Sequence, residues 1–105
     1  MQNLGNLEEM ILLVVASLNE QAYGVSVTEE YNCINQSSIS LSAVHTVLRR
    51  LEEKKLISSK MGGASAERGG RRKRLYQISQ TGYEAVEAIQ LQRQQLWARV
   101  PKFEY

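Results

Sequence analysis

The 105-residue chain carries 43% hydrophobic and 23% charged side chains, the balance of one ordinary globular domain. A lone cysteine, Cys33, and a lone histidine, His45, exclude an internal disulfide and a Cys/His metal cluster, and the apolar run at residues 10–16 is too short to span a bilayer. The net charge of +2 is unevenly laid: residues 1–56 hold seven acids and four bases, whereas 57–80 hold six bases (Lys60, Arg68, Arg71, Arg72, Lys73, Arg74) against Glu67 alone. Such a local excess suits either a polyanion-binding surface or a solvated loop.

Asn6 is placed to cap a helix over residues 7–18, whose apolar side chains cover nearly every face. A helix of that kind is covered on more than one side, by its own core or by a second subunit. Glu8 and Glu9 ahead of its apolar run have the wrong sign for a secretion signal, so a cytoplasmic location is expected. A turn at 19–22 leads to a second helix, from Gly24 to about Asn35, with Val27, Tyr31 and Ile34 as its core stripe.

Ser40 caps a third helix at 41–54, with Leu41, Val44, Leu48 and Leu51 buried. Its other face offers Ser42, His45, Thr46, Arg49, Arg50 and Glu53. Short polar groups followed by arginines can reach base edges and phosphates, although an ordinary solvent face has a similar composition. Residues 56–61 and 73–79 read as paired strands around a glycine-rich, basic segment. A hairpin with such a tip can lie along a phosphate backbone, which assigns Arg68, Arg71, Arg72, Lys73 and Arg74 to phosphate contact.

Thr81 and Glu84 match a capping box for a fourth helix reaching about Val100, roughly 28 Å long, which Pro101 ends. Val86, Ile89, Leu96, Trp97 and Val100 recur near one side of it. The remaining chain cannot cover so long a stripe. A two-fold dimer is therefore expected, joined through Leu7, Met10, Ile11 and Val14 of the first helix and Val86, Ile89, Leu96 and Val100 of the last. Trp97 either packs that interface or forms a slot with its mate for a small aromatic effector. The order of elements is that of a mainly α winged helix-turn-helix with a two-stranded hairpin wing and a long C-terminal dimerisation helix. Residues 1–80 form the DNA-binding part and 81–105 the dimerisation helix and tail.

The chain resembles the PadR family of transcriptional regulators along nearly its full length. The likeness is carried by Leu4-Gly5-Asn6-Leu7-Glu8, Tyr23-Gly24, the run LSAVHTVLRRLEEKKLI at 41–57 and the run ERGGRRKRLYQISQTGYEA at 67–85. It implies a homodimeric regulator, usually a repressor, bound to a palindromic operator in double-stranded DNA. It also implies membership of the short subfamily, some of whose members answer to aromatic drugs at the dimer interface. His45 stands where many members have tyrosine, and Ser42 where glycine or proline is frequent.

Nothing in the sequence points to an enzyme or a cofactor. His45 has no cysteine or carboxylate at ligand spacing, no serine sits in a nucleophile elbow, and the glycine pairs form no phosphate-cradling loop. The same ligand poverty argues against a metal sensor. A winged-helix protein adaptor without DNA binding is the main alternative, and it has no need of five basic residues at a hairpin tip.

Overall fold

The computed structural model describes residues 4–62 and 73–103. In chain order these form α1 (Asn6–Leu18), a 3-10 turn (Asn19–Gln21), α2 (Gly24–Asn35), α3 (Leu41–Glu53), β1 (Ile57–Met61), β2 (Arg74–Ile78) and α4 (Gln80–Ala98).

Helix α1 is the axle of the fold. It packs against α2, α3, β2 and α4, and buries Ile11, Leu12, Val14 and Val15. Most of its apolar surface is thus covered within one protomer, while Leu7, Met10 and Leu13 stay half-buried. Ile11 and Val14, expected at a subunit interface, lie in the protomer's own core and have no surface left for a partner. The helix starts one residue earlier than expected: Gly5 is the cap, and its N–H donates to the Glu8 carboxylate at 3.0 Å. Glu8 also takes the Lys54 ammonium at 2.9 and 3.0 Å, which ties α1 to the end of α3.

The pair α2–α3 forms the helix-turn-helix. Asn32 holds its turn: Nδ2 donates to the Ile39 carbonyl, and Oδ1 accepts from the Ile39 N–H and the Ser37 hydroxyl. Two expected core positions fall outside. Ile34 is 58% exposed, because the connection to α3 leaves the end of α2 at the surface, and Leu41 is 40% exposed in the first turn of α3. Val47, one turn further along, is buried beside Val44, Leu48 and Leu51.

The strands β1 and β2 pair antiparallel, with Ile57 opposite Ile78 and Ser59 opposite Tyr76. The base of this hairpin belongs to the core through Ile57 and Tyr76. A further bridge pairs Tyr23 with Leu75, and the Tyr76 N–H donates to the Ala22 carbonyl at 2.8 Å. The segment before α2 therefore acts as a short third strand, and the hairpin is held at a fixed angle to α2.

Helix α4 is capped by Ser79 and not by Thr81. The Ser79 hydroxyl accepts from the Gly82 N–H at 3.0 Å and donates to the Lys55 carbonyl at 2.8 Å, and the Ser79 N–H donates to the Leu56 carbonyl. These tertiary bonds outcompete the local box, and Glu84 accepts from Gln80 instead. Gly82 is required there, since a β-carbon would lie 2.1 Å from the Leu56 carbonyl oxygen. Helix α4 rests on α1 through Val86 and through the bonds of Gln90 and Arg93 to Glu9, and its end beyond Arg93 projects from the body. The radius of gyration of 16.0 Å reflects this, against about 13 Å for a compact chain of this length.

Candidate nucleic-acid interface

The Ser40 hydroxyl accepts the Ala43 N–H at 3.0 Å, which sets the start of α3. With its inner stripe in the core, the helix leaves Ser42, His45, Thr46, Arg49 and Arg50 exposed on the outside, as expected. A helix carrying small polar residues early and arginines late fits the width of a major groove and the reach to its base edges. The Thr46 hydroxyl donates within the helix to the Ser42 carbonyl at 3.2 Å.

His45 borders α2. A β-carbon on Gly24 would sit 2.8 Å from His45 Cε1 and 2.9 Å from Nε2, so the absence of a side chain at Gly24 makes room for the imidazole. Glycine at the start of α2 and a flat ring at position 45 of α3 therefore fit together, and the exposed His45 stands at the seam of the helix-turn-helix.

The hairpin lies beside α3, and a cleft of about 290 Å³ between them is lined by His45, Arg49, Glu52, Arg74 and Tyr76. Arg74 Nη1 donates to Ser59 Oγ at 3.0 Å, and Ser59 Oγ donates to Glu52 Oε2 at 2.6 Å. Burial pushes the Tyr76 phenol above its ordinary range, against the opposing pull of Arg74, with Glu52 adding to the rise, so the phenol stays protonated. Lys73, opposite Gly62 at the far end of the paired strands, places its ammonium 4.1 Å from the centre of the Tyr23 ring, a cation–π contact. Arg68, Arg71 and Arg72 lie outside the described residues.

The sequence assigned no site role to Glu52, Ser59 or Tyr23, although Tyr23-Gly24 carries part of the family likeness. Strand alternation does put Ser59 on the side of Ile57 and Tyr76. Nothing in one sequence, however, shows that an exposed glutamate on α3 meets it, or that Tyr23 pairs with the hairpin.

The remaining expected site residues lie along α1 and α4. Val86 is covered within the protomer, Leu7, Met10 and Ile89 are half-buried, and Leu96 and Val100 are exposed. Trp97 is 75% exposed. Gly82, Val86, Ile89, Arg93 and Leu96 recur at helical spacing along one stripe of α4, which ends at Ala98, two residues short of the expected Val100. That stripe is occupied by the body up to Arg93 and bare beyond it. At the point of departure, Glu9 of α1 is 2% exposed, paired with Arg93 and bonded by Gln90 at 3.2 Å. Among the described residues no helix is long and apolar enough to cross a membrane, and no group of three or more His, Cys, Asp or Glu is gathered to hold a metal.

Three helices whose third stands exposed beside a two-stranded hairpin define a winged helix-turn-helix, the fold of a DNA-binding regulator. Within that class, the chain belongs to the PadR-like family of transcriptional regulators, whose family model matches residues 11–88. Solved structures agree on the fold. A PadR-like transcriptional regulator of Bacillus cereus superposes with a TM-score of 0.71 at 23% identity, over 88% of this chain and 84% of its own. A PadR family regulator of Clostridium difficile gives 0.69 at 21% identity, over 90% and 93%. RosR of H. salinarum gives 0.74 at 17% identity, over 95% and 83%. No curated protein sequence gives a significant match.

Proposed function

We propose that this regulator works as a homodimeric repressor on a palindromic operator, residues 1–80 meeting the DNA and residues 81–105 joining the subunits. The outer face of α3 enters the major groove with Ser42, His45, Thr46, Arg49 and Arg50. The hairpin, with Arg68, Arg71, Arg72, Lys73 and Arg74, follows the phosphates. The observation that carries this reading is the bare outer face of α3, ending in Arg49 and Arg50, with Arg74 of the hairpin beside it.

Dimerisation is supported by the outer half of α4. Leu96 and Trp97 at the end of α4, and Val100 just past it, are each more than half exposed although the start of the helix is packed, a density of bare apolar side chains that a monomer rarely keeps. Two-fold symmetry sets the two α3 helices about 34 Å apart, one turn of DNA. Trp97, near the end of that surface, is proposed as one wall of a slot for a flat aromatic effector. Such an effector releases DNA if it prefers a dimer arrangement in which the α3 spacing no longer matches the groove.

Selection of duplexes from a random pool by the purified full chain tests the reading. It expects recovery of inverted repeats with half-sites about 10 base pairs apart, centre to centre. Recovery of no enriched sequence contradicts it. Titration of the same complex with planar aromatic cations, read by Trp97 fluorescence and DNA release, tests the effector arm. Quenching in the wild type together with DNA release, the release being lost in Trp97→Ala, is the expected result.

A further inference from the structure

We infer that Glu52 and Ser59 are positioning residues that fix Arg74 to α3, so that Arg74 belongs to the rigid reading surface and not to the hairpin's outer run of cations. The inference rests on the proposal that α3 and the hairpin face DNA.

In the hairpin register Ser59 lies opposite Tyr76, and Arg74, two residues before Tyr76, falls on the same face at the diagonal. Ser59 therefore stands between Arg74 and α3. Its hydroxyl accepts from the Arg74 guanidinium at 3.0 Å and donates to the Glu52 carboxylate at 2.6 Å. Both bonds have one charged partner, the stronger kind, and a hydroxyl that accepts from a cation becomes a better donor to an anion. Glu52 lies three residues after Arg49, so the relay ends within one helical turn of a residue proposed to read bases. Buried Tyr76 floors the same cleft. An arginine held this way loses less side-chain freedom when it meets a phosphate or a base edge than one that swings freely.

The relay also accounts for an acidic side chain on a surface meant for a polyanion. By charge alone, Glu52 should weaken DNA binding. As the anchor of Arg74 it should strengthen it. The two accounts differ in the sign of one measurement.

The test is fluorescence anisotropy of the full chain on a duplex recovered from the random pool, with melting temperatures recorded beside it. Ser59→Ala, which changes no charge, should weaken binding about three- to tenfold, the scale of freeing one long side chain. Ser59→Thr, which keeps the hydroxyl, should restore it. Glu52→Ala should also weaken binding although it removes a negative charge. In an Arg74→Gln background both losses should vanish, whereas a merely structural role would leave them in place. Tighter binding by Glu52→Ala in both backgrounds overturns the inference, as do wild-type affinity of Ser59→Ala or of Arg74→Gln, and losses that persist without Arg74. If Arg49→Ala also binds as wild type does, the DNA-facing reading itself falls.

Discussion

Replacing Arg93 by alanine strands a buried charge. Glu9 sits on α1 with its side chain 3% exposed, and Arg93 on α4 supplies the opposing charge from a side chain 54% exposed. In Arg93→Ala the carboxylate keeps the Gln90 amide but loses its cation. Breaking a fully buried pair costs about 3–5 kcal/mol. The half-exposed guanidinium marks a route by which water reaches the carboxylate, so the loss falls nearer the about 1–3 kcal/mol of an unsatisfied buried group. At roughly 4–8 °C per kcal/mol for a domain of this size, the melting temperature should drop by about 4–24 °C. Circular dichroism melts at one fixed protomer concentration measure this, because the proposed dimerisation would link association to folding. Glu9→Gln in the Arg93→Ala background should recover much of the loss, since the stranded charge is then gone. A shift below about 0.5 kcal/mol for Arg93→Ala would refute the reasoning and remove the pair as the joint between body and C-terminal helix.

Gly82→Ala should destabilise the fold by about 1–3 kcal/mol in urea titrations, because the added methyl meets the Leu56 carbonyl and the backbone must move. Burial raises the Glu8 carboxyl, but the hydrogen bonds from Lys54 and the Gly5 N–H, with the charges of Lys54 and Arg50, hold it below its ordinary 4.5. A depressed carboxylate contributes stability above its unfolded value and loses it as pH falls through the folded one. Wild type should therefore lose stability below about pH 4.5 more steeply than Glu8→Gln in melts across pH. Leu96→Glu, at a site more than half exposed, should leave the protomer folded and shift sedimentation toward monomer; an unchanged dimer would move the interface elsewhere.

Much of the fold was legible because the helices carry strong local signals. Ser40 caps α3 where expected, and alternation located both strands to within a residue or two. The failures share a cause: a tertiary partner overrides a local pattern. Thr81 and Glu84 match a box in sequence, but Ser79 wins the cap because its hydroxyl also donates to the Lys55 carbonyl and its own N–H to the Leu56 carbonyl. Apolar Ile11 and Val14 suggested a second subunit, because periodicity cannot tell that α2, α3, β2 and α4 all reach α1 within one chain. The exposed face of α3 was readable from spacing alone. The relay through Ser59 was not, because it joins residues 52, 59 and 74 by a register that only the folded hairpin sets.

The central claim is that the outer face of α3 reads DNA sequence. Its most direct test compares wild type with Arg49→Ala on a selected duplex and on random duplex at several salt concentrations. A base contact predicts that the variant loses roughly tenfold or more on the selected duplex and far less on random DNA, with nearly the same salt slope. Equal losses on both duplexes with a flatter slope would make Arg49 a phosphate contact. Unchanged binding to both would contradict the account.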